Sequence, residues 1–196
     1  MRRSRQGTSI GTILLVILLA GAYYFLRGGG TSAPTTRPGV TALPGVTAAA
    51  AGVPKWGRPA KTSGCQVNGA NQDTACTPGD ILPNVTKADI CKSGYASSVR
   101  NVPDSEKNNV YAEYGIQSHT SGQYEVDHLV SLELGGSNDI SNLWPEAASP
   151  KPGFHEKDKV ENYLHDQVCS GAVSLTEAQI KIATDWLSVY NSMPSK

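Results

Sequence analysis

Hydrophobic positions follow three different rhythms along the chain. From Gln6 to Leu26 there is no charge, and the core IGTILLVILLAGAYYFL is apolar enough to cross a bilayer as a helix of about 20 residues. In the middle of the chain, Tyr124, Glu125, Val126, Asp127, His128 and Leu129 alternate apolar and polar side chains, which is the period of a half-buried strand. A turn signal follows (LGGSND, 134 to 139), then the apolar run Asn142, Leu143, Trp144 closed by Pro145, then a helix-like segment from about His155. This stretch reads as strand, loop, strand, helix.

Helical spacing accounts for most of the remainder. Val160, Tyr163, Leu164 and Val168 recur on one face until Gly171 stops the segment. Ser174-Leu175-Thr176-Glu177 forms a capping box that opens a last helix with an apolar stripe of Ile180, Ile182, Ala183, Trp186, Leu187 and Tyr190. Upstream, Thr86 with Asp89 starts a short helix stopped by Gly94. Pro103-Asp104-Ser105-Glu106 starts another, with Val110, Tyr111 and Tyr114 on its core face and Gly115 at its end. Residues 65 to 85 are rich in Asn, Asp, Gly and Pro and predict irregular structure. The fold class is therefore α+β.

The N-terminal third divides from this domain by composition. Residues 1 to 27 are expected to be a transmembrane anchor or a signal peptide, 28 to 60 a Gly/Thr/Ala/Pro-rich flexible linker, and 61 to 196 the folded domain. Arg2, Arg3 and Arg5 precede the apolar segment and only Arg27 closely follows it, which favours a cytoplasmic N-terminus and an extracytoplasmic domain. Ala20-Gly21-Ala22 matches a cleavage pattern, so secretion after cleavage is the alternative. The membrane enters as a partner only through this segment. Nothing in the sequence points to a protein partner.

Export changes the reading of the cysteines. Cys65, Cys76, Cys91 and Cys169 are an even set, and two disulfides are the default outside the cytoplasm. Four cysteines allow three pairings. The working guess is Cys65 with Cys76 and Cys91 with Cys169. The competing zinc reading lacks any C-x2-C pair.

Charge weighs against a nucleic-acid partner. The chain is neutral as a whole, but residues 1 to 60 carry all of Arg2, Arg3, Arg5, Arg27, Arg37, Lys55 and Arg58 and no acid, so the domain beyond them is acidic. Long-range attraction of a polyanion comes from lysine and arginine displacing counterions, and this domain offers little of it.

The central stretch nonetheless concentrates chemistry. His128 suits a general base, because its free imidazole is available near neutrality. Asp127 offers a hard oxygen to a divalent cation, and His155 an imidazole at the start of the following helix. In an extended segment Asp127 and His128 point to opposite faces, so they share a target only if the strand ends or bends at His128. Asn142 can hold the loop or orient the histidine ring. Lys151, Lys157 and Lys159 surround the helix start and form the one local basic patch, suited to phosphate. His119, in a polar loop, and His165, about 80° around the helix from His155, read as solvated and packing residues.

DHLVSLELGGSNDISNLW with the later His155 resembles the signature of the HNH endonucleases, the branch of the His-Me finger (ββα-metal) superfamily with an Asp-His pair, a Gly-Gly turn, Asn-Leu and a later His. The longer block from Tyr124, with KDKVENYLH and the preceding VYAEYGI, resembles exported bacterial members. The resemblance implies a ββα-metal core with additional helices, and a metal-dependent endonuclease acting on nucleic acid, DNA first, to give 5′-phosphate and 3′-hydroxyl ends. It implies His128 as general base, Asn142 as the orienting residue, and one divalent cation held by Asp127 and His155. That cation is Mg²⁺ first, with Mn²⁺, Ni²⁺ or Zn²⁺ as alternatives. Two features depart from the pattern: the 13-residue gap from Asn142 to His155, containing Pro145, Pro150, Pro152 and Gly153, and the missing C-x2-C pairs. A catalytically silent, disulfide-stapled binding domain on the same scaffold is the alternative, and the acidic balance favours it.

Overall fold

A computed structural model describes residues 52–194, so the expected membrane segment and most of the expected linker lie outside the described residues. Among the described residues no helix is long and apolar enough to cross a membrane. They form an α+β arrangement of five α-helices and one two-stranded antiparallel sheet. In chain order these are α1 (Lys87–Ile90), α2 (Tyr95–Val99), α3 (Asp104–Glu113), β1 (Tyr124–His128), β2 (Leu143–Ala147), α4 (Phe154–Ser170) and α5 (Leu175–Ser192). Short 3₁₀ turns at Leu132–Leu134 and Ile140–Asn142 lie between the strands.

The alternation from Tyr124 does become a strand, and it ends at His128. Its register with β2 places Val126 opposite Pro145, Asp127 opposite Trp144 and His128 opposite Leu143. Pro145 does not close the second strand, which runs on to Ala147. In a two-stranded ribbon each strand keeps one unpaired edge, so a residue with no N–H is tolerated there. The glycine pair makes the long connection compact. Gly135 sits at φ 76°, and a Cβ on Gly136 would stand 1.8 Å from the Val130 carbonyl oxygen. No other residue fits that approach.

The ribbon and the connection supply Leu129, Val130, Leu134 and Trp144 to the core. Helix α4 adds Val160, Leu164 and Val168; α5 adds Ile182, Ala183 and Trp186 from its predicted stripe, with Leu187 and Tyr190 packed beside them, while Ala178 takes an unpredicted core place and Ile180 takes none. Ser174 caps α5 by accepting from the Glu177 amide. The same helix breaks at Asp185, whose Oδ1 accepts from the Ser188 amide at 3.1 Å and so restarts it. Polar side chains lock α5 to the irregular segments: Gln179 donates to the Leu134 carbonyl and Trp186 Nε1 to the Ala70 carbonyl.

The folded path begins earlier than the composition boundary at Lys61. Trp56 packs against the core, the Gly57 amide donates to Gly79 O at 2.9 Å, and the Ala60 amide donates to Ala75 O at 2.6 Å. One large aromatic in an otherwise core-poor stretch was enough to bring its neighbours in.

The disulfides pair Cys65 with Cys76 and Cys91 with Cys169, the pairing guessed from sequence, and no described cysteine is free. The second ties α1 to the end of α4 across 78 residues, against 11 for the first. On loop-closure entropy, removing Cys91–Cys169 costs about 4 kcal/mol and removing Cys65–Cys76 about 3 kcal/mol. Guanidinium unfolding of the two double-serine variants checks this ordering. A smaller loss for the long loop would contradict it.

Candidate functional site

Strand β1, the glycine connection and the N-terminal half of α4 meet where Asp127 and His128 leave the sheet. Asn142 is fully buried and spends its whole amide on the connection: Oδ1 accepts from the Val130 amide (2.9 Å) and the Asp80 amide (3.2 Å), and Nδ2 donates to Val130 O (3.0 Å) and Ser137 O (2.8 Å). Four hydrogen bonds to backbone make it the loop's fixing point. It holds the loop and does not touch the histidine ring.

The ring is oriented instead by Asn138, which sequence reasoning missed. Asn138 Oδ1 accepts from the Asn101 amide at 3.0 Å, its Nδ2 donates to Val99 O at 2.8 Å, and His128 Nε2 lies 3.2 Å from the same Oδ1. The two backbone partners fix which end of the amide is oxygen, so His128 Nε2 must carry the hydrogen and Nδ1 keeps the lone pair. The SND turn contained the signal, but nothing local distinguishes Asn138 from an ordinary turn asparagine.

His128 is 2% exposed. Burial pushes its pKa down to about 4, with Arg100 and Lys157 adding to the effect and Asp127 and the Asn138 hydrogen bond opposing it. The imidazole is therefore neutral throughout the physiological range. It lines a cavity of about 400 Å³ together with Arg100, Lys107, Tyr111, Glu125 and Phe154. Arg100 and Lys107 are exposed cations supplied from outside the motif, by the end of α2 and by α3. A larger cavity of about 700 Å³ runs along α4 and α5 and contains none of the expected site residues.

Asp127 faces the other way, toward α4. Its Oδ1 accepts from the His128 amide at 2.8 Å, and its Oδ2 lies 2.7 Å from Lys157 Nζ. Lys157 is wholly buried, and its ammonium also donates to His128 O at 2.7 Å and to Glu161 Oε1 at 2.5 Å. Glu146 is 1% exposed, and its carboxyl, once protonated, donates to the Asp127 carboxylate. Burial pushes Glu146 up to about 10, Lys157 opposing and Asp127 reinforcing, so it is a neutral acid at pH 7. Burial likewise takes Glu161 up to about 7 against the pull of Lys157. On Asp127 burial is outweighed by Lys157 together with the hydrogen bond from Glu146, and the carboxyl stays below its ordinary value. Lys157 is raised, because the three carboxyl groups outweigh its own desolvation.

The remaining expected residues are not drawn into this group. His155 is exposed, its ring packed on Phe154 at 4.2 Å, and no hydrogen bond or ion pair joins it to Asp127 among the described residues. Lys157 is no phosphate contact, since no part of its side chain reaches solvent. Lys151 and Lys159 do remain exposed, each 3.5 Å from Glu156 Oε1. Glu156 is itself committed to the helix start, accepting from the Gly153 amide at 3.1 Å. Helical spacing explains the difference: 157 lies on the face that carries Val160, Leu164 and Val168 inward, whereas 155 and 159 lie outside it. His165, half-buried, is 3.1 Å from Ile90 O and 3.5 Å from Cys169 Sγ. The ligand atoms of Cys91, His165 and Cys169 lie together, but both sulfurs are in the disulfide and free thiolates are what a metal needs.

Comparison of the chain with protein-family models, with curated proteins and with solved structures finds no match.

The depressed histidine makes stability depend on pH. Between about 4 and 6.5 the unfolded chain binds a proton at His128 that the folded chain does not, so this residue's contribution falls as pH falls through that window. The loss approaches about 3 kcal/mol by pH 4. Glu146 and Glu161 titrate with the opposite sign, so the quantity to measure is the difference between wild type and His128→Asn in urea unfolding from pH 4 to 7. That difference should shift in favour of the variant by 2 to 3 kcal/mol, roughly, on acidification. A pH-independent difference would remove the case for a buried neutral imidazole.

Proposed function

We propose that the domain is a phosphodiester hydrolase of the His-Me finger type, with β1, β2 and α4 as its ββα core and nucleic acid as its substrate. The observation that carries this reading is the convergence of an oriented, neutral His128 and two exposed cations, Arg100 and Lys107, on one cavity. A phosphate seated against Arg100 and Lys107 would be bound by charge and by the fork of the guanidinium. His128 Nδ1 takes a proton from water as its oxygen forms the new bond to phosphorus. The bond to the 3′ oxygen breaks, and that oxygen is protonated by solvent, leaving 5′-phosphate and 3′-hydroxyl ends. The low basicity of the buried imidazole limits the driving force for this proton transfer, but leaves the base fully available at neutral pH. Asn138 positions the ring, and Asn142 positions the loop that carries Asn138.

A divalent cation held by Asp127 and His155 does not fit the donor set. Asp127 already pairs with Lys157, and the exposed His155 ring is packed on Phe154. No step is therefore routed through a metal. The same observation favours a second reading, a silent binding domain that retains the scaffold, because His128 is almost enclosed and the Asp127 carboxylate is engaged. In both readings the two disulfides and the apolar N-terminal sequence support an extracytoplasmic location.

Incubating the intact chain with plasmid, single-stranded DNA and RNA separates the two. Cleavage that falls by about 10² or more in His128→Ala, with Arg100→Ala raising KM more than it lowers kcat, supports the hydrolase. No cleavage of any of the three substrates supports the silent domain, and cleavage indifferent to His128→Ala sinks the mechanism.

A further inference from the structure

Helix α3 supplies Lys107 to the His128 cavity and, one turn later on the same face, Tyr111. Tyr111 also lines a neighbouring cavity of about 710 Å³, bordered by Asn108, Gln117, Ser118 and His119. His119, which reads from sequence as a solvated loop residue, packs its imidazole on the Tyr111 ring with centroids 4.4 Å apart, and it meets the Tyr124 ring at 88° and 6.1 Å. The loop that carries it is held in place. Gly115, at φ 68°, turns the chain off α3. Gln123 Oε1 accepts from the Thr120 amide at 3.1 Å, and the Ala148 amide donates to Gln123 O at 3.0 Å, which fastens the loop just past the end of β2. His119, Asn108, Gln117 and Ser118 are all exposed.

We infer that this second cavity is a nucleobase subsite, in which an unpaired base of a single-stranded nucleic acid stacks on the Tyr111–His119 wall while its phosphate lies against Arg100 and Lys107. It rests on the hydrolase reading only for the place of the phosphate. The charges favour a single strand. The His128 cavity sets two cations, Arg100 and Lys107, against the exposed Glu125, in a domain that is acidic overall. Lys107 lies 3.1 Å from Asp104, a surface pair too weak to withhold it from a phosphate. Two cations seat one phosphate, but they do not make the run of backbone contacts by which a duplex is held. Affinity must then come from uncharged contacts, and stacking on an aromatic ring supplies it for any base, because every base has a π-face. The spacing agrees: one helical turn, about 5.4 Å, separates Lys107 from Tyr111, the scale on which a base stands off its own phosphate. The contact between the Tyr111 and His119 rings leaves no gap for a third ring, so the base lies on the exposed side of His119. The amides of Asn108 and Gln117 border the same cavity and suit either a donor or an acceptor on its edge. A paired base keeps its faces within the duplex stack, so the wall selects unpaired strands.

The test measures binding by fluorescence anisotropy of the intact chain with end-labelled, phosphorothioate-linked probes: oligo(dT), an abasic strand with the same number of phosphates, and the oligo(dT)·oligo(dA) duplex. Phosphorothioate links keep every charge and slow hydrolysis. Oligo(dT) is expected to bind about tenfold more tightly than either of the other two. His119→Ala should bring oligo(dT) down to the affinity of the abasic strand and leave that strand unchanged, and His119→Tyr should keep the preference. Arg100→Ala should weaken both single strands by a similar factor. Equal affinity for the base-bearing and abasic strands, tighter binding of the duplex, a base preference indifferent to His119→Ala, or no binding of any probe overturns the subsite. Cleavage is judged apart. Base-dependent binding through His119 with no cleavage of any substrate leaves the subsite standing on a silent domain, whereas base-blind binding with His128-dependent cleavage removes the subsite alone.

Discussion

Lys157 Nζ, wholly buried and held by Asp127, the His128 carbonyl and Glu161, is the contact through which the ribbon and α4 are made one unit. Burying an ammonium is expensive unless every hydrogen finds an oxygen, and here all three do. The geometry therefore constrains its neighbours. The His128 carbonyl lies on the free edge of β1, because the ladder bond beside it runs from the Leu129 amide to Asn142 O, and at that edge the lysine meets it. Asp127 must face the helix, because its Oδ2 completes the pair. His128 is thereby left facing Asn138 and the cavity with Arg100 and Lys107. The two adjacent residues share one backbone and serve two faces, one structural and one suited to chemistry.

Electrostatics divides the same way. On the α4 side, three carboxyl groups crowd one ammonium, and burial resolves the excess negative charge by holding a proton on Glu146. On the cavity side, burial resolves the histidine as neutral. Neither side keeps a large net charge in the interior. The overall acidity of the domain then becomes less of an obstacle to an anionic substrate, since part of that acidity is neutralised inside and Arg100 and Lys107 are exposed at the cavity. Attraction would be local, short in range and sensitive to salt.

The elements that were legible from sequence are those in which local pattern and tertiary need agree. The alternation from Tyr124, the N-cap at Ser174, most of the stripe on α5 and the stop at Gly171 appear where spacing puts them, while the reciprocal Glu177 half of the expected capping box does not form among the described residues. Asn142 was found because it falls beside the glycine turn, and its loop-fixing role follows from its amide chemistry. The rest depended on long-range packing. Lys157 reads as a surface lysine among Glu156 and Asp158, and only docking α4 against Asp127 shows it to be internal. Arg100 and Lys107 lie in segments with no motif of their own, and Trp56 sits in a stretch whose composition predicts a linker. His155, chosen by its place in a pattern, lies on a helix face that points to solvent. Asn138 and Asn142 are four residues apart, and their roles separate only once the backbone partners of each amide are known.

Manganese anomalous diffraction from crystals of the intact chain grown with Mn²⁺ tests the central arrangement most directly. The account predicts continuous side-chain density from Lys157 to the point between Asp127 and Glu161, with no anomalous signal there. A manganese peak at that point, with the lysine swung aside, would contradict it.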